Sequence, residues 1–232
     1  MDPNQFTHLT FDCYGTLIDW ETGILNAMMP LFERHAVRVA PKEVLERYVV
    51  HEAALESQGW RMYREVLTAA AAAIGNDFHV KFSPWEAGTL ADSVAGWPPF
   101  ADTVAALHRL KKRFKLAIVS NIDDALFADT ARLLEVNWDD VVTAEQVKSY
   151  KPANAHFHEA LRRMNVPAGN VLHVAQSLYH DHEPARRLGF RTAWVRRPSR
   201  LEVTGLAPPS SVQPDLTVLT LGELAARLTS DS

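Results

Sequence analysis

The sequence predicts an α/β fold: a mostly parallel sheet with a helical cap inserted into it. Three features of the 232-residue chain carry that reading. From residue 101 onward, short apolar runs alternate with stretches of helical period, the rhythm of strands and helices that cover both faces of a parallel sheet. Between residues 15 and 98 only the helical period is present. One apolar run, residues 6–11, precedes that block, so the helices interrupt the alternation after its first strand and are tethered twice. The boundaries read as 1–14 and 99–232 for the sheet core and 15–98 for the cap.

Taken in order, Phe6 to Phe11 is rich in apolar and β-branched residues and reads as a short buried strand. It runs into the polar turn Asp12-Cys13-Tyr14-Gly15-Thr16, where Gly15 permits a tight bend or close backbone approach. Residues 21–37 and 41–73 have apolar positions returning every three or four residues, with Pro41 placed as a first helical residue. Ala69 to Ala73 favours helix strongly, and Gly75, Asn76 and Asp77 end it. Ser83-Pro84-Trp85-Glu86 is a capping box opening a helix over 84–94. Gly96-Trp97-Pro98-Pro99-Phe100 is a stiff turn that suits a return crossing from cap to core.

The core then alternates. Asp102 is placed to cap a helix running to Lys112, and Lys115 to Ser120 is a strand. Helix 124–134, a strand over 140–143, helix 153–164 and a strand from Asn170 to Ala175 follow. A short helix over 181–188 and the strand Arg191 to Val195 come next. Residues 198–214 are proline-rich without periodicity and read as a surface loop. Residues 215–219 and 221–228 supply a last strand and helix.

Composition sets limits. With 47% hydrophobic and 22% charged residues, the chain reads as an ordinary globular protein. Its net charge of -4, with no basic run, argues against a nucleic-acid-coating protein. The single cysteine, Cys13, cannot form an intramolecular disulfide and fits a reducing compartment. No leader-like apolar segment and no run of the roughly 20 apolar residues that spans a bilayer is present, so a cytoplasmic location without membrane attachment is expected.

Chemistry concentrates at three strand ends: Asp12 to Thr16, Ser120-Asn121, and Gln176-Ser177. Parallel neighbouring strands would bring them to one edge of the sheet, where open α/β folds bind ligands. A carboxylate there suits a nucleophile or a metal ligand, and equally a turn or helix cap. Lys151, held before Pro152 at a helix start, is placed to bring a positive charge to the same edge.

These motifs, in this order, resemble the haloacid dehalogenase superfamily of hydrolases, most closely its L-2-haloacid dehalogenase (type II) branch. The matching features are Asp12-Cys13-Tyr14-Gly15-Thr16-Leu17, a helical insertion, Ser120-Asn121, Lys151-Pro152, and the acidic loop from Gln176 to Asp181. The resemblance implies a Rossmann-like core under a cap, a homodimer, and no metal or other cofactor. It implies hydrolysis of a small halogenated carboxylic acid to a 2-hydroxy acid through an ester on Asp12. Lys151, Thr16 and Asp181 would serve the catalysis, and Tyr14, Ser120, Asn121, Ser177 and His180 would line the substrate. Phosphatases of the superfamily carry a second aspartate where Tyr14 stands. A phenol, titrating near 10, cannot replace that acid, whereas a halide leaves without being protonated. A Mg²⁺-dependent phosphohydrolase is the alternative.

Two departures stand out. Dehalogenase relatives hold the departing halide with an arginine from an early cap helix, and Val49 occupies that place here. Arg47 or His51 would have to substitute after a shift of register. A His51 imidazole could donate one hydrogen bond to a small halide, which would extend the activity to fluoroacetate. The last motif, Ala175-Gln176-Ser177-Leu178-Tyr179-His180-Asp181-His182, is one residue longer than in those relatives and flanks its aspartate with histidines.

Overall fold

The computed structural model describes residues 1–201 and 210–230. Six strands form one parallel sheet in the order β3-β2-β1-β4-β5-β6. They are β1 (His8–Phe11), β2 (Lys115–Ser120), β3 (Asp140–Thr143), β4 (Val171–Ala175), β5 (Arg191–Val195) and β6 (Leu216–Val218). Every residue of β1 and β4 is buried, which is why these strands read as apolar runs without alternation. The chain builds outward from β1 through β2 to β3, then crosses back to place β4 on its other side. That reversal opens a crevice at the carboxyl end of β1.

Register sets which residues meet there. Phe11 pairs with Ile118 of β2 and with Val174 of β4. Asp12, Ser120 and Gln176 therefore leave the sheet within two residues of the same level.

The first four helices after β1 are α1 (Trp20–Arg34), α2 (Pro41–Ser57), α3 (Tyr63–Asp77) and α4 (Pro84–Ser93). They form the helical cap. Asp19 caps α1 by accepting the Thr22 N–H at 3.1 Å, and the Ser83–Glu86 capping box opens α4 as the sequence predicts. The single helix expected over 41–73 is two helices. Gly59 takes φ +109°, a left-handed conformation that ends α2 and lets the chain fold back into α3. At position 23, glycine is required by packing, because a Cβ there would lie 2.3 Å from the Trp97 ring. The two passages between cap and core run side by side. The Asp19 N–H donates to Pro98 O at 2.8 Å, and the Phe100 N–H donates to Leu17 O at 3.0 Å.

The start of α3 is capped from the core. Met62 at its N-cap position makes no side-chain cap bond. Asp123, which follows β2 and is buried, accepts the Tyr63 N–H at 2.7 Å and the Arg64 N–H at 2.8 Å. Tyr150 adds a bond from its hydroxyl to Arg61 O at 2.7 Å, and the Lys148 ammonium sits 4.1 Å from the Trp60 ring centre. Removing a capping carboxylate costs about 1–2 kcal/mol. Asp123→Ala is therefore expected to lose that much stability and to speed hydrogen exchange at the Tyr63 and Arg64 amides. Unchanged protection at those two amides would refute this account of the cap's anchorage.

The remaining helices are α5 (Thr103–Lys111), α6 (Asp124–Leu133), α7 (Ala144–Val147), α8 (Ala155–Met164), α9 (Glu183–Arg187) and α10 (Leu221–Thr229). Asp102 stands at the N-cap position of α5 but does not cap it. Its carboxylate accepts the Gly222 N–H at 2.9 Å and pairs with Arg197, tying α10 to the core. Part of the loop expected over 198–214, residues 202–209, lies outside the described residues. Among the described residues no helix is long and apolar enough to cross a membrane.

Candidate active site

The Lys151 ammonium is the hub of the crevice. It donates to Asp12 Oδ1 at 2.9 Å, to Asp181 Oδ1 at 2.6 Å and to the Val119 carbonyl at 2.9 Å. Three donors meet three acceptors, and all three side chains are buried. Asp12 receives a second bond on its other oxygen, from the Thr16 hydroxyl at 2.7 Å. Thr16 Oγ1 in turn accepts the Gln176 N–H at 2.9 Å, so the loop after β4 fixes the residue that orients Asp12. Asn121 holds the lysine's own peptide groups. Its side-chain oxygen accepts the Lys151 N–H at 2.7 Å and its amide donates to Lys151 O at 3.3 Å. The polar atoms of Asn121 thus serve to place Lys151.

Asp181 reaches the hub through a π-helical turn, Leu178–His182. Ser177 caps that turn, accepting the His180 N–H at 3.0 Å and lying 3.2 Å from His180 Nδ1. The helix expected over 181–188 is accordingly this wide turn followed by α9, with Ser177 as its cap. A π turn holds one more residue than an α turn, so a motif one residue longer, as the sequence leads one to expect, fits there without moving its ends apart. His173, on β4, lies with Nε2 3.1 Å from Asp181 Oδ1 and Nδ1 2.9 Å from the Thr10 hydroxyl.

Burial and charge act against each other here. Burial pushes the Asp12 carboxyl above its ordinary value, with Lys151 and Thr16 pulling the other way. Burial also raises Asp181, but Lys151 and the His173 bond outweigh it and hold that carboxyl well below the usual range. Burial works against the Lys151 ammonium, and the two carboxylates more than offset it. His180 is pushed down by burial, so its imidazole is neutral at neutral pH. Cys13 is fully buried, and burial raises its thiol far above its ordinary value; it is a core residue.

Above the hub lies a cavity of about 230 Å³, lined from below by Asp12, Ser120, Ser177 and His180 and from the cap by Tyr48, Val49, Glu52 and Glu56. Tyr14 lines it too, but its hydroxyl is bonded to Thr130 Oγ1 at 2.8 Å and its ring meets Trp97 edge-on. Trp20 forms part of the wall, against Tyr48.

His51 is not in this cavity, contrary to the sequence-based expectation. Its Nε2 lies 2.8 Å from Asp77 Oδ2, at the far end of α3, and Arg47 is 3.7 Å from the same carboxylate. The helix phase explains this. Tyr48, Glu52 and Glu56, spaced by four, share the face turned to the core, and Arg47 and His51 share the next face round.

A family model described as haloacid dehalogenase-like hydrolase matches residues 6–189. The chain belongs to the haloacid dehalogenase-like hydrolase family. Within it, an (S)-2-haloacid dehalogenase of Pseudomonas putida is 27% identical over 203 residues, covering 82% of this chain and 84% of the relative. The L-2-haloacid dehalogenase PA0810 superposes with a TM-score of 0.83 at 24% identity, covering 96% of this chain and 98% of its own. A defluorinating L-2-haloacid dehalogenase, Rha0230, also gives 0.83, at 22% identity, covering 97% and 96%. At those identities the structural likenesses establish the shared fold.

Against the residues expected of a haloacid dehalogenase-like hydrolase, the structure gathers Asp12, Thr16, Lys151 and Asp181 into one bonded group. It places Tyr14, Ser120, Asn121, Ser177 and His180 around the cavity and leaves His51 outside it. Sequence reasoning missed Glu52, Glu56, Tyr63 and His173. Spacing by four links Glu52 and Glu56 to Tyr48 on one helix face, but nothing in that spacing says which face meets the core. Among the described residues no three His, Cys, Asp or Glu side chains are grouped to hold a metal ion.

Proposed function

We propose that this hydrolase cleaves the carbon–halogen bond of a small 2-haloacid through an ester on Asp12. The observation that carries the reading is the Asp12–Lys151–Asp181 group facing the helical cap, with tyrosine at position 14 tied to Thr130. An oxygen of the Asp12 carboxylate attacks the halogen-bearing carbon from the side opposite the halogen. The carbon–oxygen bond forms as the carbon–halogen bond breaks, and halide leaves with its electron pair. Thr16 and Lys151 hold the carboxylate in one orientation throughout.

Water then adds to the ester carbonyl of Asp12. The product is a 2-hydroxy acid of inverted configuration, Asp12 is restored, and one proton is released with the halide. Asp181, held strongly anionic, positions that water, and the neutral imidazole of His180 takes its proton. Ser120 receives the substrate carboxylate, and Trp20 supplies apolar wall. With His51 outside the cavity, its imidazole cannot bond a departing fluoride.

Single-turnover reaction of enzyme in ¹⁸O-water with 2-chloropropionate tests the covalent route. The first lactate released is expected to carry unlabelled oxygen, which comes from Asp12, and later turnovers to carry label. Label in the first product would exclude the ester. Halide release from chloro-, bromo- and fluoroacetate is expected to be indifferent to chelator. Activity confined to phosphate esters and lost with chelator would favour the Mg²⁺-dependent alternative.

A further inference from the structure

The cap side of the cavity is lined by carboxyl groups and offers no free cation to a simple anion among the described residues. Lys151 and Arg197 are the cations lining it among the described residues, and both are engaged by the protein. Lys151 has its three protons on three acceptors. Arg197 donates to Thr16 O at 2.9 Å and Asp102 Oδ1 at 2.6 Å, with its guanidinium over the Phe100 ring. Facing them are two glutamates on α2. Glu52 accepts the Tyr48 hydroxyl at 2.7 Å and also the Tyr63 hydroxyl. Glu56, one turn further along, lines the cavity, and among the described residues its carboxylate has no hydrogen bond or ion pair. Across the cavity stands a second group without a partner. Ser120 is 1% exposed, lines the same space, and its hydroxyl has no bond among the described residues.

A half-buried carboxylate left unpaired is costly, and such groups are otherwise paired in folded proteins. We propose that Glu56, assisted by Glu52, binds an ammonium group, so that the substrate is a 2-haloacid carrying a basic amine further along its chain. This rests on the reading of Asp12 as the nucleophile toward a small haloacid. The substrate's carboxylate lies toward Ser120, its halogen-bearing carbon at Asp12, and its ammonium at the cap. Glu56 and Glu52 thereby present carboxylates from the cap and select a positively charged group. The groups facing Glu56 are Glu52 and Tyr48 on its own helix, Tyr63 on α3, and Tyr150 and Lys151 from the core. Burial and Glu52 push the Glu56 carboxyl up to about 9, with Lys151 opposing. An ammonium displaces that proton, so its binding tightens as pH rises toward 9.

The test measures binding by calorimetry, with no turnover required. The ligands are 3-aminopropanoate through 6-aminohexanoate and the plain acids of equal length. Wild-type enzyme is expected to bind at least one amino acid tenfold more tightly than its plain counterpart, and Glu56→Gln to abolish that preference while still binding the plain acid. The inference is overturned if the plain acids bind as tightly as every amino partner, if the preference survives Glu56→Gln, or if neither set binds. Halide release from 2-chloro derivatives of the same acids separates the two readings. Preferential binding without halide release from any of them would leave the ammonium site standing and remove Asp12-centred dehalogenation.

Discussion

Asp12→Asn is expected to lower halide release by about four orders of magnitude or more, the scale seen when a covalent nucleophile is removed. The amide keeps the shape of the side chain: its oxygen can still accept the Lys151 bond, and its NH2 can donate to the Thr16 hydroxyl that formerly donated to the carboxylate, so the site stays assembled while the attacking anion is gone. Stability is expected to be unchanged or slightly higher, because burial works against the Asp12 carboxylate and Lys151 keeps Asp181 as its partner. The same variant identifies the intermediate. Wild-type enzyme quenched within one turnover is expected to yield an Asp12-containing peptide heavier by the carboxyalkyl group of the substrate, and the variant none. Activity within tenfold of wild type would remove Asp12 from the chemistry.

Lys151→Met is the change with the largest expected effect on the fold. It leaves Asp12 and Asp181 buried without a cation, and breaking a buried ion pair from one side costs about 3–5 kcal/mol. Its pH dependence identifies the cause. In wild type the depressed Asp181 carboxyl contributes stability that is present above its unfolded value near 4 and lost as pH falls through its folded value. Asp12, raised by burial, acts in the opposite sense and partly offsets that slope. Without Lys151 both carboxyls titrate above their unfolded values, so the native state binds the extra protons and stability falls as pH rises from about 4. Denaturation midpoints between pH 4 and 8 are therefore expected to decline in the variant. Adding Asp181→Asn to Lys151→Met is expected to restore part of the loss. No restoration would mean that the cost comes from lost packing of the lysine stem.

Much of the fold was legible because parallel strands buried on both faces have no alternation to confuse: β1, β2 and β4 stand out as apolar runs. The convergence of Asp12, Ser120 and Gln176 followed from strand order alone, since parallel neighbours end at one edge. Lys151 and Asp181 were legible as members of ordered motifs. Their shared oxygen-to-nitrogen contacts were not, because a hydrogen bond across 30 residues depends on how two loops fold back. The cap resisted reading for a different reason. One helical period continues through the Gly59 break, and His51 and Glu52 differ by 100° of helix phase, which decides between a surface pair with Asp77 and the cavity wall. Asp123 was invisible as a cap for α3 because its helix lies 60 residues away.

The π turn at Leu178–His182 has a consequence for how this loop tolerates a change of length. A surplus residue in a straight α-helix shifts the phase of everything beyond it by about 100°, and would carry the rest of α9 off the sheet. Here the surplus is absorbed in one wide coil, with Ser177 closing it at one end and His182 Nε2 3.0 Å from Ala175 O at the other. Asp181 therefore keeps its bond to the lysine at the end of a coil one residue wider than an α turn. Deleting one residue from this coil is in principle a silent edit for the backbone on either side, and it is the two histidines, not the aspartate, whose directions would be rewritten.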